Sequence, residues 1–413
     1  MSQKIYKITL LTFFVFIFSE YYTQETKKID IIHSNSIEFN ENIGDGAKRL
    51  LGNVIFRHDD IYMFCDSAYF FDDINTAIAY NNVRIKQGDS ILVVSKYMEY
   101  DGHQRIAKMR DSVILKHNKS YLLTDSLDYI RNEDFAYYFG GGKIFDADNK
   151  LFSNNGYYYT KDKDYFAVDS VTLKNPQYVI YTDTMRYNTD FETAYFYGAT
   201  NIVADSNFIY CENGFYDTKY DIAAFSQNPW LRSGSNYIIG DSLYYDRKIR
   251  FGEAFNNVFI IDTVENVIAK SDYGYFFEEP EYALLTKKAQ AIYVNDSDSI
   301  FVHADTILMT SDSSDFKLLR AFRKTQIFSE NFQGRCDSLT FYSFDSIAHM
   351  YYEPIIWAEG NKQITADHIS VYFENKEPKN FYLKNNCFAI EQIDSIHFNQ
   401  AKCDNIKGYL KNN

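Results

Sequence analysis

A triplet of a small residue, an aspartate and a hydroxyl residue recurs seven times along this 413-residue chain, and almost every copy runs into an apolar or aromatic stretch. The copies are Cys65-Asp66-Ser67, Thr124-Asp125-Ser126, Thr182-Asp183-Thr184, Gly240-Asp241-Ser242, Ala304-Asp305-Thr306, Cys336-Asp337-Ser338 and Ala366-Asp367-His368, the last with histidine in place of the hydroxyl. Successive aspartates stand 59, 58, 58, 64, 32 and 30 residues apart, an underlying period of about 29 to 32 in which alternate early copies are degenerate. The degenerate copies fall where that period requires, at Ser95-Lys96, Asn154-Asn155, Glu212-Asn213 and Ser271-Asp272. A repeat of this length points to units that bury their apolar faces on their neighbours, a solenoid or related stacked array, rather than to one globular core.

Size and composition agree. A single core rarely grows beyond about 300 residues, yet no Pro/Gly/Ser-rich linker divides Asp30 from Asn413. Thirty-seven Tyr and 35 Phe stand against five Pro, and the β-branched residues come in short runs, which predicts strands with hardly any helix. The net charge of −14 argues against nucleic acid or an anionic surface bound through charge, so a lipid ligand would be held by its tails. Of the five cysteines, at 65, 211, 336, 387 and 403, three occupy the small position of the repeat, which predicts small core residues rather than a disulfide framework.

At the N-terminus, Lys4 and Lys7 precede an apolar run from Ile8 to Phe18, too short to span a bilayer comfortably. Residues 1–24 are therefore expected to be a signal peptide or an N-terminal anchor, and the chain to be exported. Repeats are expected over 30–413, as one run or as two consecutive arrays at about 30–260 and 261–413.

Aligned on the aspartate, the units share an inward pattern. The third residue before it is Met63, Leu122, Ile180, Ile209, Ile238, Val302 or Ile364. The second after it is Ala68, Leu127, Met185, Leu243, Ile307, Leu339 or Ile369, and the fourth is Phe70, Tyr129, Tyr187, Tyr245, Met309, Phe341 or Val371. The apolar parity thus slips by one residue at the aspartate. In a strand of period two this slip would turn the second half's apolar residues into water unless the chain bends or bulges there. The Asp-Ser step is expected to be that corner, since short polar side chains bond nearby backbone and tolerate irregular dihedrals. Each unit should add two or three short strands, one of them ending in a polar-aliphatic pair such as Asn53-Val54, Asn82-Val83, Ser112-Val113 or Asn257-Val258.

The stretches Gly52-Asn53-Val54-Ile55-Phe56-Arg57, Cys65-Asp66-Ser67-Ala68-Tyr69-Phe70 and Ala77-Ile78-Ala79-Tyr80-Asn81-Asn82-Val83-Arg84-Ile85 together resemble the repeat of the OstA-like (organic solvent tolerance) family, and the likeness recurs over roughly Ser36 to Asn413. The resemblance implies an all-β fold, an elongated open β-jelly roll whose apolar interior holds acyl chains. It also implies a non-enzymatic periplasmic bridge, without cofactor, that passes lipopolysaccharide or a related glycolipid toward the outer membrane and stacks end to end with similar transport proteins. Carried onto this chain, the lipid-facing rows would be Met63, Leu122, Ile180, Ile238 and Val302 before the corner, and Leu127, Met185, Leu243, Ile307 and Leu339 after it.

Other chemistry has less support. The eight histidines show no ligand spacing. Gly140-Gly141-Gly142-Lys143 and Asp146-Ala147-Asp148 read as hairpin turns, and Asp296-Ser297-Asp298 and Asp312-Ser313-Ser314-Asp315 as solvated turns. Rival architectures are an exported adhesin or carbohydrate-binding β-solenoid, kept open by clusters such as Tyr157-Tyr158-Tyr159, a β-helical polysaccharide lyase, and an outer-membrane barrel, whose unbroken alternation the aspartate corners contradict.

Overall fold

The computed structural model describes residues 28–39, 46–204, 207–278, 281–294, 299–311, 317–330, 332–374 and 377–409. The N-terminal segment 1–24 and the acidic runs 296–298 and 312–315 lie outside the described residues. Within them the chain zigzags through antiparallel strands, most of which pair with both sequence neighbours. The first full strands are Lys48–His58, Ile61–Phe71, Thr76–Gln87, Ile91–Asp101, Ile106–His117 and Ser120–Ile130. Whereas 135–159, 222–246 and 347–374 are each made of four shorter strands, these repeat units supply two strands of 11 or 12 residues joined by tight turns, longer than the alternation alone suggested.

These strands stay long because each bends rather than ends at its middle. Between Lys48–His58 and Ile61–Phe71, Leu51 faces Ser67 and Val54 faces Cys65, so Gly52 and Asn53 stand opposite the single residue Asp66. Gly52 and Asn53 have φ of 76° and 48°. The same left-handed pair recurs at Asn81-Asn82, Asp111-Ser112, Asp169-Ser170, Asn256-Asn257, Lys287-Lys288, Arg323-Lys324 and Asn385-Asn386. This is a bulge, in which two residues of one strand are accommodated against one of its neighbour.

The corner is thus shared between two strands, and here the structure corrects the expectation. The positive φ values fall on the facing pair, not on the Asp-Ser step, and the pair that seemed to close a strand, such as Asn82-Val83, lies inside one. Asparagine suits the site because its short amide tolerates the left-handed region. Gly140 and Gly141, with φ of 77° and 105°, are the same device rather than a hairpin turn, whereas Asp146–Asn149 does close a hairpin.

Burial follows the parity slip. On Ile61–Phe71 the buried residues are Ile61, Met63 and Cys65 before the aspartate, then Ala68 and Phe70 after it. On Lys48–His58 the inserted pair brings Leu50, Val54 and Phe56 to the same side. The bend divides each full-length strand into two arms, and where the strand breaks at the corner two short strands take the places of the arms. Arms next to turns such as His58–Ile61 form a first wall, and arms next to turns such as Phe71–Thr76 form a second. Inward side chains of both walls join one apolar cluster that extends from Ile29 to Cys387. The result is an elongated, open β-jelly roll, a long sheet folded along its corners.

Candidate binding trough

All ten residues expected to face a ligand point between the walls. Met63, Leu122, Leu127, Ile180 and Met185 are fully buried there, at 0 % exposure, packed against one another's neighbours. Ile238 and Leu243 are slightly open at 8 % and 6 %, and Ile307 and Leu339 are buried close to the corner. Val302 is half-buried, as are the other inward residues Ile260, Phe276, Met309, Leu319, Phe341, Ile356, Ile364 and Val371. The rows therefore form one surface, but along the first part they are occupied by each other and along the second they are reachable from solvent. Where the change occurs, a crevice is lined by Phe225, Leu231, Ile238, Leu243, Tyr245 and Phe276.

The cause lies at the mouth of the trough, where the tips of the walls meet. Tyr100 of the second wall places its hydroxyl 2.7 Å from Nδ1 of His58 on the first. Tyr129 donates to Gln87 Oε1 at 2.6 Å, the Tyr158 hydroxyl lies 2.5 Å from His117 Nδ1, and Tyr187 donates to Asp146 at 3.0 Å while accepting from Asn149 at 3.0 Å. Asp59, on a first-wall turn, meets Arg105 and Arg131 of two second-wall turns at 3.0 and 2.9 Å. Farther on, the Tyr178 and Tyr216 rings stand edge to face at 4.8 Å, and Arg247 donates to Gln177 at 2.8 Å. Burial pushes the Tyr129 hydroxyl up to about 12, and lowers the His117 imidazole below its ordinary value, aided by Lys163 and opposed by Asp190. The hydroxyls are thus neutral, and the His117 ring is neutral over more of the pH range than a free histidine.

The aspartates serve the corner. Asn82 donates to Asp66 at 2.7 Å, Asn257 to Asp241 at 3.1 Å and Asn386 to Asp367 at 3.0 Å, each from the left-handed pair on the next strand. Where Lys96 replaces the aspartate, that pair carries Asp111, 3.0 Å away. Where the pair is Lys287-Lys288, Lys288 reaches Asp272 at 2.8 Å. The partners change sign together, so the contact and not the carboxylate is what recurs. Cys65, Cys211 and Cys336 are buried, and burial pushes their thiols up to about 12, which leaves them protonated core residues.

The tyrosine cluster divides by alternation. Tyr158 is inward, while Tyr157 and Tyr159 face out, Tyr157 stacking on Phe135 at 5.6 Å and on Tyr137 at 5.0 Å. These outer rings cover one another's faces.

The mouth contacts are what the sequence reading missed, although their signal was present: Tyr100, Tyr129, Tyr158, Tyr187, Tyr216 and Tyr245 are spaced 29 residues apart. Pairing the two walls tip to tip was needed to see what that spacing does. The family model for OstA-like protein matches residues 26–183 and 168–235. No curated protein matches the chain.

Proposed function

Since this chain belongs to the OstA-like protein family, a family of transport type, we propose that it is a non-enzymatic carrier that conveys lipopolysaccharide or a related glycolipid across the periplasm toward the outer membrane. The observation that carries this reading is the pair of apolar walls facing each other along the sheet, with the half-buried residues Val302 of the first wall and Met309, Phe341 and Val371 of the second reachable between them. Acyl chains entering such a trough gain about 0.8 kcal/mol per methylene buried. No bond is made or broken in this step, so direction must come from another part of the pathway. The working partners are similar carriers joined end to end by strand pairing, which continues both walls from one protein to the next.

The test is a photo-crosslinking amino acid placed in living cells at Leu243, Val302 and Met309, with Lys116 and Lys161 as outward controls. Lipopolysaccharide adducts at the three inward positions and not at the controls are expected. Their absence from all three, in protein shown to be folded and exported, overturns the carrier reading.

A further inference from the structure

The mouth contacts keep a strict rhythm. Tyr100, Tyr129, Tyr158, Tyr187, Tyr216 and Tyr245 each stand four residues after a corner residue, namely Lys96, Asp125, Asn154, Asp183, Glu212 and Asp241. The first four reach across to first-wall partners that lie 42, 42, 41 and 41 residues earlier: His58, Gln87, His117 and Asp146. The fifth, Tyr216, turns its hydroxyl to Asp221 at 3.0 Å but still packs its ring on Tyr178 of the opposite wall. At the sixth, no crossing hydrogen bond from the tyrosine is made among the described residues. The first-wall residue 41 positions before Tyr245 is Ala204, which offers no polar side chain, and Tyr245 donates instead to Glu278 on its own wall at 3.0 Å. In the following units the same position holds Phe276, Met309, Phe341 and Val371, side chains without a hydroxyl and half-buried rather than buried.

We propose that the tyrosine row is a latch that seals the mouth over the first part of the trough, so that acyl chains enter beyond the point where the row fails, along the half-buried residues from Phe276 to Val371, and reach the rows around Leu122, Leu127, Ile180 and Met185 only when the latch opens. The assignment rests on the carrier reading above. Tyrosine is suited to the task. Its ring fills the gap between the walls when closed, and its hydroxyl exchanges a partner across the mouth for water when open, so opening leaves no polar group stranded. An all-aliphatic mouth would lack that reversible polar contact, and an ion-paired one would hold the walls through charges that are costly to bury. The Asp59 contacts with Arg105 and Arg131 lie at the turns, outside the apolar rows, where they align the wall tips.

The experiment uses the purified full chain and a palmitate analogue bearing a diazirine, with labelled residues mapped by peptide mass spectrometry. It compares wild type with the triple variant Tyr129→Phe, Tyr158→Phe, Tyr187→Phe, which keeps the rings and removes the hydroxyls, and circular dichroism confirms that both are folded. Wild type should be labelled at Phe276, Val302, Met309 and Phe341 and spared at Leu122, Leu127 and Met185. The variant should gain labelling at the spared residues by about tenfold or more, as expected when three net hydrogen bonds are removed from the closed state. Equal labelling of both parts in wild type, or no gain in a folded variant, overturns the latch and leaves the carrier reading standing. Absence of label at every inward position in both proteins overturns the carrier reading and the latch with it.

Discussion

The two stretches of the trough are built alike and differ in how their mouths are treated. From Leu50 to Phe225 the inward side chains are almost all fully buried, and the mouth carries tyrosines whose hydroxyls or rings meet the opposite wall. From Phe251 to Val371 the same strands, bulges and corners continue, but large inward residues near the mouth, such as Ile260, Phe276, Val302, Met309 and Phe341, are half-buried. The backbone device that folds the sheet is therefore independent of the side chains that close it. A bend or break at each corner makes two walls, and the residue four places after the corner decides whether those walls are held together. The family match, residues 26–235, covers the closed stretch and ends before the half-buried inward residues Ile260, Phe276, Val302 and Met309.

The contrast predicts unequal responses to the same kind of change. Leu122→Ala removes a fully buried side chain and should cost about 2–5 kcal/mol, whereas Val302→Ala, at a half-buried site, should cost about 1 kcal/mol or less. Urea titration followed by hydrogen exchange of the flanking strands measures both locally, which matters because stacked repeats need not unfold as one unit. Similar losses at the two sites would mean that the second stretch is as closed as the first.

Acid should act on the seam at His117. The folded chain holds His117 below its ordinary value of 6.5, through burial first and Lys163 second, with Asp190 opposing. An opened chain takes up a proton as pH drops below that value while the closed seam resists it, so the stabilisation is full above pH 6.5 and is lost as pH falls toward the folded value. Lowering the pH from about 8 to about 5 should therefore speed hydrogen exchange around His117 and Tyr158 more than around Gln87 and Tyr129, where the contact has no group titrating in that range. Uniform acceleration along the seam would contradict the assignment.

The smallest effect is expected at the corners, which both stretches share. Lys96→Asp sets a carboxylate against Asp111 and should lower the melting temperature slightly, and adding Asp111→Lys should restore it, because the two partners are exposed and act as a pair. Failure of the second change to rescue the first would show that the corner depends on residue identity rather than on the contact.

Much of this was readable from the chain itself. The parity slip across Asp66, from Met63 and Cys65 to Ala68 and Phe70, is a property of side-chain alternation, and burial reproduces it residue by residue. The bulge was harder to place, because the aspartate announces the corner while the strain is carried by a pair about 16 residues later, such as Asn81-Asn82. Even so, the repeated Asn-Asn pairs are the residues that tolerate positive φ. The seam was least legible. Contact between Tyr100 and His58 joins residues 42 positions apart that lie on different walls, and no local pattern states which turn of one wall stands over which turn of the other.

Oxidation of the native methionines tests the division of the trough most directly, without any substitution. Met98, Met109 and Met185 face inward in the closed stretch at 0 % exposure, and Met309 faces inward in the open one and is half-buried. Under mild peroxide, read out by peptide mass spectrometry, Met309 should form its sulfoxide well ahead of the other three, and prior addition of palmitate should protect it. Oxidation of Met98, Met109 and Met185 as fast as Met309, or a Met309 that palmitate leaves unprotected, would contradict a trough that is sealed in its first part and open to acyl chains in its second.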